Sequence, residues 1–247
     1  MIKARRIVLN GLNNARDLGG FVTEDGKITK LGVFFRSESL FYLNPEDVVV
    51  LEKYGITSCI DIHGQVDNKK MVHPFQENPK FDYCCIPVLS DLIKHTGTEK
   101  DNFQESDWVA VNIRMLEVNK IWVKDVITAC AESKIGTVIH CRTGKSRTSL
   151  ICMMIMLLAK VPIVDIVAEF ATTEIYMKKK YECFLKNSFH SEGFYKSPAF
   201  VLEKTINHII DNYGTVESYL ISCGVSETSM KKIINKYICT IDEESYT

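Results

Sequence analysis

The run His140-Cys141-Arg142-Thr143-Gly144-Lys145-Ser146-Arg147-Thr148 places a thiol, a glycine, hydroxyls and cations within nine residues. Val138 and Ile139 before it read as a buried strand, and Ser149 to Ala159 after it as a strongly apolar helix. A loop between a strand and a helix N-terminus turns backbone N–H groups into a concave nest, where a phosphate dianion is at home. The same field favours the thiolate, the nucleophilic form of a cysteine. Arg147, six residues after Cys141, carries a planar fork that can grip two phosphate oxygens and take up charge in a transition state. The chemistry implied is attack of sulfur on phosphorus, with a covalent intermediate that water later hydrolyses. A lone cysteine here would read as a small buried hydrophobe. Gly144 three residues on, Arg147 six on and Thr148 seven on make phosphate chemistry the stronger reading.

The rest of the chain reads as the scaffold for that loop. Phe21-Val22-Thr23 and Lys27-Ile28-Thr29 flank Glu24-Asp25-Gly26, a hairpin signal. Leu31 to Leu40 is extended. Asn44-Pro45-Glu46-Asp47 starts a helix that stops at Gly55. Ile56 to Ile62 reads as a buried parallel strand and Phe81 to Val88 as a further central one. The stretch 92–107 is polar and irregular, long enough for a lid or an insertion. Trp108 to Ala131 carries apolar residues at helical spacing and predicts one long helix, its Trp and Met stripe a core face. Beyond the loop helix, Pro162 to Thr173 and Ile175 to Lys186 predict two helices, with Lys178-Lys179-Lys180 a solvated face. Ser197-Pro198 to Tyr213, Thr215 to Ser222 and Ser226 to about Ile238 predict three more. The expected architecture is α/β: a central, mostly parallel sheet flanked by helices, with an N-terminal β-hairpin and C-terminal helices, in one domain over 1–247.

Composition removes several alternatives. Lys+Arg of 30 against Asp+Glu of 31 leaves a net charge of -1, which points away from nucleic acid and anionic membranes. The apolar run Leu150 to Ala159 is too short to span a bilayer, and no signal-peptide pattern opens the sequence, so a cytoplasmic setting without membrane insertion is expected. Nine cysteines without a C-x-x-C pair argue for free thiols. No metal or other cofactor is implied. Cys59, near the end of a neighbouring strand, is the thiol to test as a disulfide partner for an oxidised Cys141, against the plainer reading of a core cysteine.

His-Cys, five residues, then Arg-Thr resembles the active-site loop of the cysteine-dependent protein tyrosine phosphatase superfamily. Asn13-x-x-Arg16-Asp17-Leu18-Gly19-Gly20 and Phe35-Arg36-Ser37-Glu38-x-Leu40 resemble the opening of its bacterial members. Tyr213-Gly214 with Tyr219-Leu220 and Gly224-Val225-Ser226 resemble their C-terminal segment. The resemblance implies the phosphatase fold, with Cys141 as nucleophile and Arg147 as anion grip. Arg142, Thr143, Gly144, Lys145 and Ser146 would line the substrate, with Thr148 donating to the departing thiolate. Arg16, Asp17 and Arg36 read as an ion-pair cluster supporting the site more than touching substrate. Ser146 stands where the bacterial family usually has Asp, and serine cannot protonate a leaving group. The loop also fits the dual-specificity pattern, whose acid lies on an upstream strand loop; that makes Asp91 the expected general acid, ahead of Asp61 and Asp67. Asp61, at the carboxyl end of its strand, would touch substrate or anchor the loop. Where the family usually reads D-L-R-S, this chain has Asp61-Ile62-His63-Gly64. The expected substrate is a phosphotyrosine protein. A phosphoinositide is the runner-up because Arg142 and Lys145 add two cations, and a pseudophosphatase or a sulfur carrier fits less well.

Overall fold

The computed structural model describes residues 4–63, 73–88, 102–187 and 191–239. Its strands are β1 (Arg16–Asp17), β2 (Ile28–Thr29), β3 (Phe34–Ser37), β4 (Ser58–Asp61), β5 (Asp82–Cys85), β6 (Thr137–His140) and β7 (Ile238–Cys239). Its helices are α1 (Pro45–Lys53), α2 (Asp107–Val118), α3 (Lys120–Glu132), α4 (Ser146–Leu158), α5 (Ile163–Asn187), α6 (Ala199–Tyr213), α7 (Val216–Cys223) and α8 (Glu227–Tyr237). A five-stranded sheet runs in the order β1-β3-β6-β4-β5, and β6 is its middle strand. β3, β6, β4 and β5 are parallel, with β1 antiparallel at one edge. This is the mostly parallel α/β sheet that the sequence predicts.

The pleat assigns faces. Phe34, Ile60 and Ile139 enter the larger apolar core with Cys141 and the buried side chains of α4. Their neighbours Phe35, Cys59 and Val138 enter a second core with Leu51 of α1 and the N-terminal residues Ile7 and Leu12. Successive strand residues point to opposite faces, so the alternation follows from geometry alone. α4 is buried nearly all round, from Leu150 to Met156, as expected of an apolar helix through the middle of a fold.

Several elements differ from expectation, each for a local reason. The predicted hairpin is present, with Val22 opposite Ile28, Thr23 N–H donating to Lys27 O at 2.8 Å and Thr29 N–H to Phe21 O at 2.9 Å, but β2 also pairs with β7, more than two hundred residues on. The predicted long helix is broken at Asn119 (φ −112°, ψ 41°), whose side-chain amide donates to Met115 O at 3.2 Å. Asn competes with helix continuation through bonds of this kind. Conversely, the two helices predicted around Thr172-Thr173 are one, α5. Thr172 Oγ1 donates back to Glu169 O at 2.7 Å, and Thr173 Oγ1 accepts from Arg16, so both hydroxyls are satisfied without a break. β5 is an edge strand with mostly exposed residues, not a central one. Asn44 caps α1 by accepting from Asp47 N–H, and Ser226 caps α8 by accepting from Ser229 N–H. Among the described residues no helix is long and apolar enough to cross a membrane.

Candidate active site

β6 ends at His140, and Cys141 follows with only 2% of its surface exposed. α4 begins at Ser146, inside the motif, so Arg147 and Thr148 lie in its first turn. The intervening loop is held from outside by its carbonyls. Ser39 N–H donates to Arg142 O at 3.1 Å. Asn14 Nδ2 donates to Thr143 O at 2.9 Å, and Arg36 Nη2 donates to Gly144 O at 2.6 Å. A loop whose carbonyls are drawn outward presents its N–H groups to the inside, which is the nest that an anion needs. Gly144 has φ +65°, and a Cβ there would sit 2.4 Å from Ser37 O; only glycine allows the loop this close to β3.

The outer donors are themselves locked. Glu169 of α5 accepts from Arg16 Nε and Arg36 Nη1, both at 2.5 Å, and all three residues are at most 4% exposed. Arg16 also donates to the side chain and carbonyl of Asn14, and Arg36 Nη2 to Ser149 Oγ. Burial pushes the Glu169 carboxyl up, but the two guanidiniums outweigh it and hold it below the usual carboxylate range. Glu38 is fully buried, accepts from the N–H groups of Asn13 and Asn14, and pairs with Lys180 at 2.8 Å. Lys180 is therefore an anchor, while Lys178 and Lys179 face solvent. Asp17 accepts from Gly19 N–H and Gly32 N–H. Of the cluster expected of Arg16, Asp17 and Arg36, the two arginines pair with Glu169, an acid 133 residues beyond Arg36, while Asp17 holds the backbone at Gly19 and Gly32.

Lys145 is buried, its ammonium bonded to Phe194 O at 2.5 Å and Lys196 O at 2.8 Å, and 4.0 Å from the Trp108 ring. Ser146 Oγ donates to Asn112 Oδ1 at 2.8 Å. Both tie the loop to neighbouring elements. Arg142 is exposed, Thr143 partly so. Arg147 Nη1 lies 3.4 Å from Ile62 O. The Thr148 hydroxyl is buried and makes no hydrogen bond among the described residues. Asp61 is 3% exposed; its Oδ1 accepts from His63 N–H at 2.8 Å and its Oδ2 from Tyr83 Oη at 2.9 Å. Asp91 and Asp67, and most of the stretch 92–107, lie outside the described residues.

A family model described as the tyrosine phosphatase family matches residues 7–239. The chain belongs to the tyrosine phosphatase family. A tyrosine-protein phosphatase of Nostoc commune is 24% identical over 219 residues, covering 81% of this chain and 72% of that protein. Among solved structures, TpbA of P. aeruginosa is similar with a TM-score of 0.38 and 12% identity, covering 80% of this chain and 90% of that one.

The sulfur of Cys59 is no partner for Cys141 in this phosphatase. In the β4–β6 register Cys59 stands opposite Val138, both in the second core, whereas Cys141 belongs to the first. Burial also pushes the Cys59 thiol well above its ordinary range. A disulfide between opposite faces of one sheet would require the backbone to turn over. Cys59 Sγ, His73 Nε2 and His140 Nε2 do lie within 4.8 Å of one another, a donor set that could attract a soft cation. The two rings have already used those atoms. They are 3.1 Å apart, Nε2 to Nε2, and Phe75 N–H donates to His73 Nδ1 at 3.1 Å. A cation there would have to displace the proton between the rings and break the Phe75 bond, so the residues do not fit a resident metal.

These two rings set an acid limit on stability. Burial, then the neighbouring His140, takes His73 down to about 3; burial, then His63, does the same for His140. A base depressed on folding stays neutral when folded and binds a proton on unfolding. Its stabilisation is complete above the unfolded value of ~6.5 and is lost as pH falls from there toward about 3, at roughly 1.4 kcal/mol per pH unit for each ring. The urea midpoint is therefore expected to drop between about pH 7 and about pH 5. A level midpoint across that window would show that the folded rings take up protons freely.

Proposed function

We propose that this chain hydrolyses phosphotyrosine in proteins through a cysteinyl-phosphate. The observation that carries the reading is the outward capture of the carbonyls of Arg142, Thr143 and Gly144 around a buried Cys141. The phosphoryl group sits in the nest of N–H groups with the Arg147 fork on two of its oxygens. Cys141 Sγ attacks phosphorus as the bond from phosphorus to the tyrosyl oxygen breaks, and the phenolate takes a proton from Asp91. Water then attacks phosphorus, giving a proton back to the Asp91 carboxylate, and the S–P bond breaks. The departing thiolate is stabilised by the Thr148 hydroxyl, and inorganic phosphate leaves. The positive charge spread over Arg147 and the Arg16–Glu169–Arg36 group favours the dianion throughout.

Asp91 is preferred as acid because both oxygens of Asp61 already accept hydrogen bonds from the scaffold. A positioned acid contributes about 10²–10⁴ in rate, and its worth grows as the leaving group becomes more basic. Asp91→Asn is expected to slow phosphotyrosine hydrolysis by that order while barely affecting an aryl phosphate with an acidic phenol. Asp61→Asn is expected to lower activity on both alike and to reduce stability, since it disturbs the His63 turn and Tyr83. Leaving-group sensitivity in the Asp61 variant and not in the Asp91 variant would move the acid to the end of β4. A phosphoinositide substrate draws less support than the sequence suggested, because Lys145, one of its two extra cations, is committed to carbonyls.

A further inference from the structure

Two buried histidines on the face of the sheet opposite Cys141 have a proton arrangement that can be deduced atom by atom. Phe75 N–H donates to His73 Nδ1, so this nitrogen is an acceptor and the ring's proton is on Nε2. That proton points at His140 Nε2, 3.1 Å away. His140 Nε2 must accept it, which leaves the proton of the second ring on Nδ1. His140 Nδ1 is buried and makes no hydrogen bond among the described residues.

We propose that His73 is a positioning residue next to the nucleophile: by one hydrogen bond it fixes the tautomer of His140, the residue that precedes Cys141 in the chain. Which nitrogen of a histidine bears the proton is set by the bond its other nitrogen makes. The surroundings leave His73 as the donor in this place. On the β4 side Asp61 Oδ1 is 3.8 Å from His140 Nε2, beyond a hydrogen bond, and Cys59 Sγ is 3.9 Å from His73 Nε2. Tyr83 lies tilted over His73 with ring centroids 4.5 Å apart, and its hydroxyl donates to Asp61. Phe41 and Phe75 close the remaining sides of His73 with their ring edges. Burial first, then the charges of His63 and Arg147, disfavours a second proton on His140. A neutral, single-tautomer His140 is thereby held at the last residue of β6.

The inference rests on Cys141 being the nucleophile, and its test is separable from that reading. In protein labelled with 15N-histidine, which has six such residues, His140 is expected to show a protonated Nδ1, a bare Nε2, and a scalar coupling across the hydrogen bond to His73 Nε2. A protonated His140 Nε2, or no coupling between the rings, overturns the proposal whatever the activity. His73→Gln places an amide nitrogen where Nε2 stood and keeps the donor. His73→Asn keeps an acceptor for Phe75 N–H but is too short to reach His140. In the Asn variant the His140 signals should divide between tautomers, the pH profile should gain an ionisation, and kcat on an aryl phosphate should fall by about tenfold or more, the scale of lost outer hydrogen-bond partners. The Gln variant should keep the native tautomer and rate. Unchanged His140 signals and an unchanged rate in His73→Asn would overturn the proposal. If neither variant folds, the coupling in the native protein decides. Retained turnover in Cys141→Ser, with the tautomer as stated, would remove the nucleophile assignment and leave the ring pair standing.

Discussion

Cys141→Ser is expected to remove turnover, by on the order of 10⁴–10⁶-fold, while the loop still binds a phosphate ester. A serine hydroxyl is not ionised near neutral pH as a thiol in this nest can be, and removing the nucleophile of a covalent mechanism costs nearly everything that the mechanism contributes. Rapid-quench labelling with a ³²P-phosphopeptide should trap phosphate on the native protein and none on the variant. Arg147→Lys is expected to fall by about 10²–10³-fold, the scale of losing a main donor to the transition state, because an ammonium cannot reproduce a bidentate fork. Substantial turnover by either variant would mean that the phosphoryl group is handled elsewhere.

Glu169→Gln should be the most destabilising single change outside the apolar core. It leaves Arg16 and Arg36 buried side by side with their shared counter-charge removed. Breaking a buried pair by removing one partner costs about 3–5 kcal/mol. The effect should reach the chemistry too, since Arg36 holds Gly144 O and Arg16 holds Asn14. Urea unfolding measures the first consequence, and kcat well below the shifted midpoint measures the second. Adding Arg16→Met should recover part of the stability, as expected when one of two unpaired buried charges is removed. A midpoint unchanged from the native protein would mean that water reaches the guanidiniums.

The parts of this molecule that were legible in the sequence are those where local chemistry decides. Asn44 before Pro45, Ser226 before α8 and Gly224 at the end of α7 (φ +89°) each solve a helix end with one residue. The strand-loop-helix motif around Cys141 is likewise local. What the sequence concealed depends on pairing at a distance. Nothing near Glu169 marks it as the partner of Arg16 and Arg36, and nothing near Phe194 marks its carbonyl as the seat of Lys145. Cys59 looked close to Cys141 because both lie near strand ends. Only the β4–β6 register, which no single strand specifies, puts them on opposite faces. β5 read as central from its apolar run, but its place at the sheet edge depends on what lies beyond it.

The pairing of β2 with β7 has a consequence in time. Ile28 and Thr29 meet Cys239 and Ile238, Lys30 N–H donates to Tyr237 O, and Tyr237 Oη donates to Leu18 O. The segment delivering Asn14, Arg16 and Arg36 to the loop is thus stapled to residues made some two hundred positions later. During synthesis, at roughly 5–20 residues per second, the nascent chain carries its thiol for several seconds before that staple can close. The N-terminal part of the loop's scaffold therefore gains its contact with β7 only after the loop itself has been made.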